Sequence, residues 1–113
     1  MLSAVLAVLA LAPGPSASDC RHLPAPPTRQ ASPNDNQARA GTLRDGVLTV
    51  RLVAQAVAWR PDGAAGCALG VHAFSEEGRA AQIPGPLIRV RAGTDVRVSI
   101  RNALPSALWV RGL

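Results

Sequence analysis

Residues 84–102 constrain the fold of this chain more than any other stretch, because they combine two turn signals with a strict alternation of side chains. The stretch opens with Pro-Gly-Pro at positions 84–86 and turns again at Gly-Thr-Asp, positions 93–95. After the second turn, apolar residues occupy every second position: Val96, Val98 and Ile100. Successive side chains of a strand point to opposite faces, so this alternation predicts a half-buried antiparallel strand after a short apolar one.

Two stretches upstream also have the pattern of strands. The Asp45-Gly46 pair predicts a turn into an apolar strand over residues 47–53, and the segment ends at Trp59 and the turn-forming residues 60–63. Residues 71–74 (Val-His-Ala-Phe) predict a second short strand. Together these patterns predict an apolar core made of Leu48, Val50, Leu52, Ile88, Val90, Val96, Val98, Ile100 and Leu108.

The chain of 113 residues is long enough for one domain at most. Residues 1–18 have the pattern of a signal peptide, with an apolar stretch too short to span a bilayer and small residues before Asp19. Residues 19–42 are rich in proline and polar residues and predict a disordered leader or linker. The folded part is therefore expected over residues 43–113, in a protein exported to the periplasm or the extracellular space, with no stable membrane span.

All twelve basic residues are arginines, and the formal net charge is +5. Arg89, Arg91, Arg97 and Arg101 fall at strand positions expected to face outward, which favours a solvated sheet face. The chain has three aromatic residues and no nucleic-acid-binding motif. A nucleic-acid partner is therefore not expected.

The order of these elements, followed by the segment 107–113 (Ala-Leu-Trp-Val-Arg-Gly-Leu), resembles the first cupredoxin (plastocyanin-like) domain of multicopper oxidases and copper nitrite reductases. The resemblance covers roughly residues 43–113. It implies an all-β, antiparallel, cupredoxin-like Greek-key β-sandwich. The folded part is shorter than such a sandwich needs, so we expect the N-terminal part of a domain, from a fragment or a truncated reading frame.

The resemblance also implies copper chemistry for a full-length relative. In that family a type 1 copper takes electrons from substrate, and a trinuclear cluster reduces dioxygen to water. A His-x-His pair in the first domain supplies ligands to the cluster, and Trp109 and Arg111 stand at the two aligned positions. Indole nitrogen only donates hydrogen bonds and arginine stays protonated, so neither replaces an imidazole ligand. We therefore expect no catalytic residue and no copper in this chain, and a structural role beside further cupredoxin domains or in a homo-oligomer.

The remaining candidates for chemistry are few. Cys20 and Cys67 could form one disulfide in an exported protein, or Cys67 could be a free loop thiol, and the sequence leaves both open. His22 and His72 have no second histidine nearby to complete a type 1 copper site, which needs two histidines and a thiolate. The acidic pair at 76–77 is expected in an exposed loop, where adjacent carboxylates point apart.

Two alternatives remain beside an oxidase domain. The whole protein could be a copper-free cupredoxin-like scaffold or binding module, which Trp109 and Arg111 favour and which downstream copper ligands would count against. A partner-binding β-domain unrelated to copper would instead fold alone, with a cooperative melt. We expect weak stability or aggregation, because so few strands leave open sheet edges.

Overall fold

The computed structural model describes residues 17–112, and these form an almost entirely β structure. A short 3₁₀ helix, Ala17–His22, precedes the strands. The strands are β1 (Ser32–Pro33), β2 (Thr42–Arg44), β3 (Val47–Trp59), β4 (Leu69–Glu76), β5 (Gln82–Ile83) and β6 (Asp95–Asn102). They form one curled, mixed sheet in the order β1-β5-β4-β3-β2, with β6 also paired to β3. The all-β prediction is confirmed, whereas the Greek-key connection stays a prediction.

A tight hairpin joins β2 to β3 at the predicted turn. Asp45 and Gly46 have positive φ angles of 48° and 75°. Two central residues with positive φ are typical of a type I′ turn, whose twist matches that of the flanking strands. Arg44 therefore pairs directly with Val47, which fixes the register of the hairpin.

The long strand β3 organises the sheet. Its first half pairs with β2 and β6, and residues 52–59 pair with β4. Buried side chains lie on both of its faces. Leu48, Val50 and Leu52 form one cluster with partly buried Phe74, Val90, Val98 and Ile100. Val57, at an odd position, belongs to a second cluster on the opposite face, with Ala73, Ala81, Ala31, Val71 and Ile83.

The pairing of β6 corrects the expectation of an antiparallel sheet. β6 runs parallel to β3, with Val96 beside Leu48 and Val98 beside Val50. Parallel neighbours need a long crossover connection, and residues 60–94, which include β4 and β5, supply it. Alternation along a strand shows which side chains share a face, but it carries no information on the direction of the neighbouring strand.

β6 ends close to the point where the chain has no further backbone N–H that could donate to β3. The Ala103 N–H donates to the Ala54 carbonyl oxygen at 2.9 Å. The next donor toward β3 in a parallel ladder would come from residue 105, which is proline and has no N–H.

The stretch before β6 does not form the predicted strand. Residues 84–90 contain one isolated bridge, in which Leu87 pairs with Arg39, and two prolines that cannot donate to a ladder. Two predicted core residues are also corrected. Ile88 lies in an irregular segment and is 37% exposed, and Val96 lies on the edge strand β6 and is 42% exposed. Leu108 is half-buried.

The segment 19–42, predicted as a disordered leader, makes defined backbone contacts. The Ala58 N–H donates to the Arg29 carbonyl oxygen at 2.7 Å, and the Ala31 N–H donates to the Ala58 carbonyl oxygen at 2.9 Å. β1 then pairs in parallel with β5. Prolines 24, 26 and 27 lack N–H groups, so regular pairing begins only after them. The predicted signal peptide, residues 1–18, lies almost entirely outside the described residues.

Candidate functional site

The segment that follows β6 carries Trp109 and Arg111, the two residues that the sequence resemblance aligns with a His-x-His pair. Asn102 shapes the turn into it: its Nδ2 donates to the Ser106 carbonyl oxygen at 2.8 Å, and its Oδ1 accepts from the Leu104 N–H at 3.0 Å. Residues 103–112 form no strand, and Trp109 is 88% exposed. Arg111 is exposed as well. Both side chains therefore point into solvent on an irregular segment.

The donor groups of the described chain do not fit a copper centre. An indole N–H and a guanidinium have no lone pair to offer a metal. His22 lies at the end of the 3₁₀ helix and His72 on β4, both exposed. Among residues 17–112, no group of three or more histidine, cysteine, aspartate or glutamate side chains could hold a metal ion.

Cys20 and Cys67 form a disulfide, which is one of the two states that the sequence leaves open. Neither sulfur is then a thiolate, the form that binds metals. The bond joins the 3₁₀ helix to the turn region after β3. That region is held locally by Arg60, whose Nη1 donates to the Gly66 carbonyl oxygen at 2.6 Å.

An apolar row crosses the sheet near the β2–β3 hairpin, and we call it the open row: Leu43, Leu48 and Val96. Leu43 pairs with Leu48, and Leu48 pairs with Val96, so all three lie on one face. Leu48 in the centre is fully buried, whereas Leu43 is 44% and Val96 is 42% exposed. The open row is therefore buried at its centre, and the described residues leave the side chains at both of its ends partly exposed.

The outer edge of β6 is a second open feature. The N–H groups of Asp95 and Ala103 donate toward β3, to Gly46 and Ala54. Backbone groups alternate between the two edges of a strand, so those of Val96, Val98 and Ile100 point to the outer edge. No strand described in residues 17–112 pairs with β6 on that side.

The opposite sheet face contains a buried polar network that the sequence analysis missed. Gln55 and Ser75 are both buried, and Gln55 Nε2 donates to Ser75 Oγ at 2.9 Å. Arg29 Nη1 donates to Gln55 Oε1 at 3.0 Å. The available signal was that Gln55 is the one polar residue in the apolar run 52–58. The network ties the leader segment to β3 and β4.

The acidic pair differs in part from its expected place in an exposed loop. Glu76 is the last residue of β4, and its Oε1 accepts from the Gly41 N–H at 2.9 Å. Its other oxygen lies 3.6 Å from Arg79 Nε, and Glu77 lies 3.8 Å from Arg51. Both carboxylates therefore have basic partners, and Glu76 also fixes the backbone of Gly41, which lies close to the Leu48 side chain.

Comparison of the chain with protein-family models, with curated proteins and with solved structures gave no match. No helix within the described residues is long and apolar enough to cross a membrane.

Proposed function

We propose that this chain contains the N-terminal part of a first cupredoxin domain from an exported protein of the multicopper-oxidase type, and that its own role is structural. The domain presents its open row to a further β-domain, which completes the second layer of the sandwich. The resemblance of residues 43–113 supports the family, and the all-β sheet is compatible with it.

The open row is the observation that carries this proposal. Leu43 and Val96 lie on the same face as the fully buried Leu48, yet each exposes more than two-fifths of its surface. Apolar surface in water is unfavourable by about 25 cal/mol per Å². A neighbouring β-sheet that covers the row removes this cost, and sheets pack face to face in this way.

The chemistry of positions 109 and 111 supports a role without catalysis in this chain. The family uses two imidazoles there, and Trp109 and Arg111 offer neither. Electron transfer and dioxygen reduction, if the complete protein performs them, depend on ligands from other domains. A second candidate follows from the same two residues: the complete protein is a copper-free scaffold or binding module.

The disulfide supports the exported location. Structural disulfides persist in the periplasm and outside the cell and are rare in the reducing cytosol. Cys20 lies just after the predicted cleavage region, so a mature chain that begins near Asp19 keeps the Cys20–Cys67 bond.

The first experiment expresses the full chain with its own leader and purifies it from the periplasm. N-terminal sequencing should begin near Asp19. After loading with Cu(II) and dialysis, elemental analysis should find no stoichiometric copper. A matched variant that carries Trp109→His together with Arg111→His should retain more copper than the wild type. One tightly bound copper per wild-type chain would overturn the proposal.

The structural role has its own measurement. A dye that fluoresces on exposed apolar surface should bind the native chain, and Leu43→Ser should reduce the signal. Leu69→Ser is the control, because Leu69 is 37% exposed on β4 but lies outside the open row. Absence of dye binding, or equal effects of the two variants, would contradict a role for the open row.

A further inference from the structure

The sequence of β6 is self-complementary about Val98. Moving outward from this residue, the neighbours are Arg97 and Ser99, then Val96 and Ile100, then Asp95 and Arg101, with the last pair of opposite charge. An antiparallel pair of identical strands centred on Val98 places each residue opposite its counterpart on the other side of that centre. The charges and the apolar side chains of β6 both fit this arrangement.

We infer that a second copy of this chain pairs with the outer edge of β6, so that two β6 strands run antiparallel across a two-fold axis. Val98 lies opposite Val98 of the second copy, and Val96 lies opposite Ile100. These residues are the ones whose backbone groups point to the outer edge, so they can exchange ladder hydrogen bonds in this register. The inference deepens the structural role proposed above, rests on it, and names one partner.

Side chains also match across the axis. Residues directly opposite one another share a face, so the apolar side chains of Val96, Val98 and Ile100 continue onto those of the second copy. On the other face, Asp95 lies opposite Arg101, and this ion pair occurs twice because of the symmetry. Neither Asp95 nor Arg101 forms a salt bridge with any residue in the range 17–112. The dimer therefore supplies both with partners of opposite charge.

Other registers of the antiparallel β6 pair are less favourable. Sliding one strand by two residues in one direction places Arg97 opposite Arg97, and in the other direction it places Arg97 opposite Arg101. Like charges directly opposite each other destabilise a strand pair. A slip of one residue turns the arginines toward the apolar side chains of the second copy. In the register centred on Val98, Arg97 instead lies opposite the neutral Ser99.

A charge swap tests this register. Sedimentation equilibrium of the full, disulfide-bonded chain at low ionic strength should show a dimer that weakens as salt screens the two ion pairs. Asp95→Arg and Arg101→Asp should each weaken the dimer about tenfold, because each places like charges opposite one another twice. The double variant should recover most of the wild-type affinity. Arg89→Asp, an equal charge change at an exposed site outside β6, is the control and should change the affinity little.

Hydrogen exchange gives an independent measurement of the edge. The amides of Val96, Val98 and Ile100 should be protected in the dimer, and they should lose protection on dilution or in Arg101→Asp. A monomer at high concentration would overturn the inference, as would a double variant no better than the single variants or unprotected amides in a dimer. A copper-free monomer leaves the proposed function standing, whereas a copper-binding dimer overturns the proposed absence of copper and keeps the structural role with its β6 pairing.

Discussion

Removal of the Cys20–Cys67 disulfide should strongly destabilise this domain. The two cysteines are 47 residues apart in sequence, and their bond closes a loop that includes β1, β2 and β3. The loss of chain entropy in the unfolded state for a loop of this length corresponds to about 4 kcal/mol at 25 °C. That is a large share of the roughly 5–15 kcal/mol by which domains are stable. A sheet whose apolar face is partly exposed at Leu43 and Val96 should lie at the low end of this range.

The assay compares the oxidised wild type with the variant that carries Cys20→Ser and Cys67→Ser. Each kcal/mol shifts the Tm of a domain this small by about 4–8 °C, so the double variant should melt about 20 °C lower. The reduced wild type is the control, and it should match the double variant if cross-linking, not side-chain polarity, is the cause. Unfolding free energies of the two oxidation states that agree within about 1 kcal/mol would refute the reasoning.

The same variant should show a local effect at the N-terminal side of the bond. Leu23 N–H donates to the Cys20 carbonyl oxygen, but prolines 24, 26 and 27 cannot donate to any ladder. Without the disulfide, that turn is the only backbone hydrogen bond that the described residues 23–28 make before pairing resumes at Arg29. Trypsin should therefore cleave after Arg21 faster in the double variant than in the oxidised wild type, at a temperature where both are folded. Equal cleavage rates would show that other contacts hold the segment.

Two further predictions concern packing. Leu48→Ala should lower the free energy of unfolding by about 3 kcal/mol, because Leu48 is fully buried. Leu43→Ala in the same row should lower it by about 1 kcal/mol in the isolated chain, because Leu43 is partly exposed. Denaturant titration measures both free energies, and equal losses would contradict the description of the open row. Gly41→Ala should cost about 3 kcal/mol, because an added Cβ would lie 2.5 Å from the Thr49 carbonyl oxygen at a φ of +81°. Gly46→Ala is its control, with a similar φ and no atom within 4 Å, and should cost about 1 kcal/mol.

Local signals in the sequence were sufficient for the three longest strands, β3, β4 and β6, but not for the short strands β1, β2 and β5. The Asp45-Gly46 turn, the strand after it and the alternation from Val96 to Ile100 all depend on residues close together in the chain, and the structure contains each of them. The direction of β6 was not predictable in this way, because it depends on β3, more than forty residues earlier. For the same reason the alternation predicts which residues share the apolar face but not how much of each is covered, and Ile88 and Val96 are more exposed than the pattern predicts.

Some features of the candidate site are also predictable from the sequence, and others depend on the fold. Side-chain chemistry alone predicts that Trp109 and Arg111 cannot hold copper, and no structure is needed for that step. Whether Cys20 and Cys67 could join was open, because it depends on a Cα–Cα distance, which is 5.5 Å in the fold. The hydrogen bonds of Gln55 and Glu76 are not predictable from the sequence, because their partners Arg29 and Gly41 lie in the segment whose composition predicts disorder.

The open row and the free edge of β6 would bind a partner in different ways. Pairing of two β6 strands satisfies the backbone groups at the edge, but it places both apolar faces on the same side of the enlarged sheet. Val96 remains in the open row of each copy, so the dimer joins two partly exposed rows into one larger apolar patch, although contacts between Val96 and Ile100 bury part of it. Large exposed apolar patches are rare on soluble monomers and mark sites of association. A chain that pairs through β6 therefore needs a covering β-domain even more than a single copy does, and the two associations should strengthen each other.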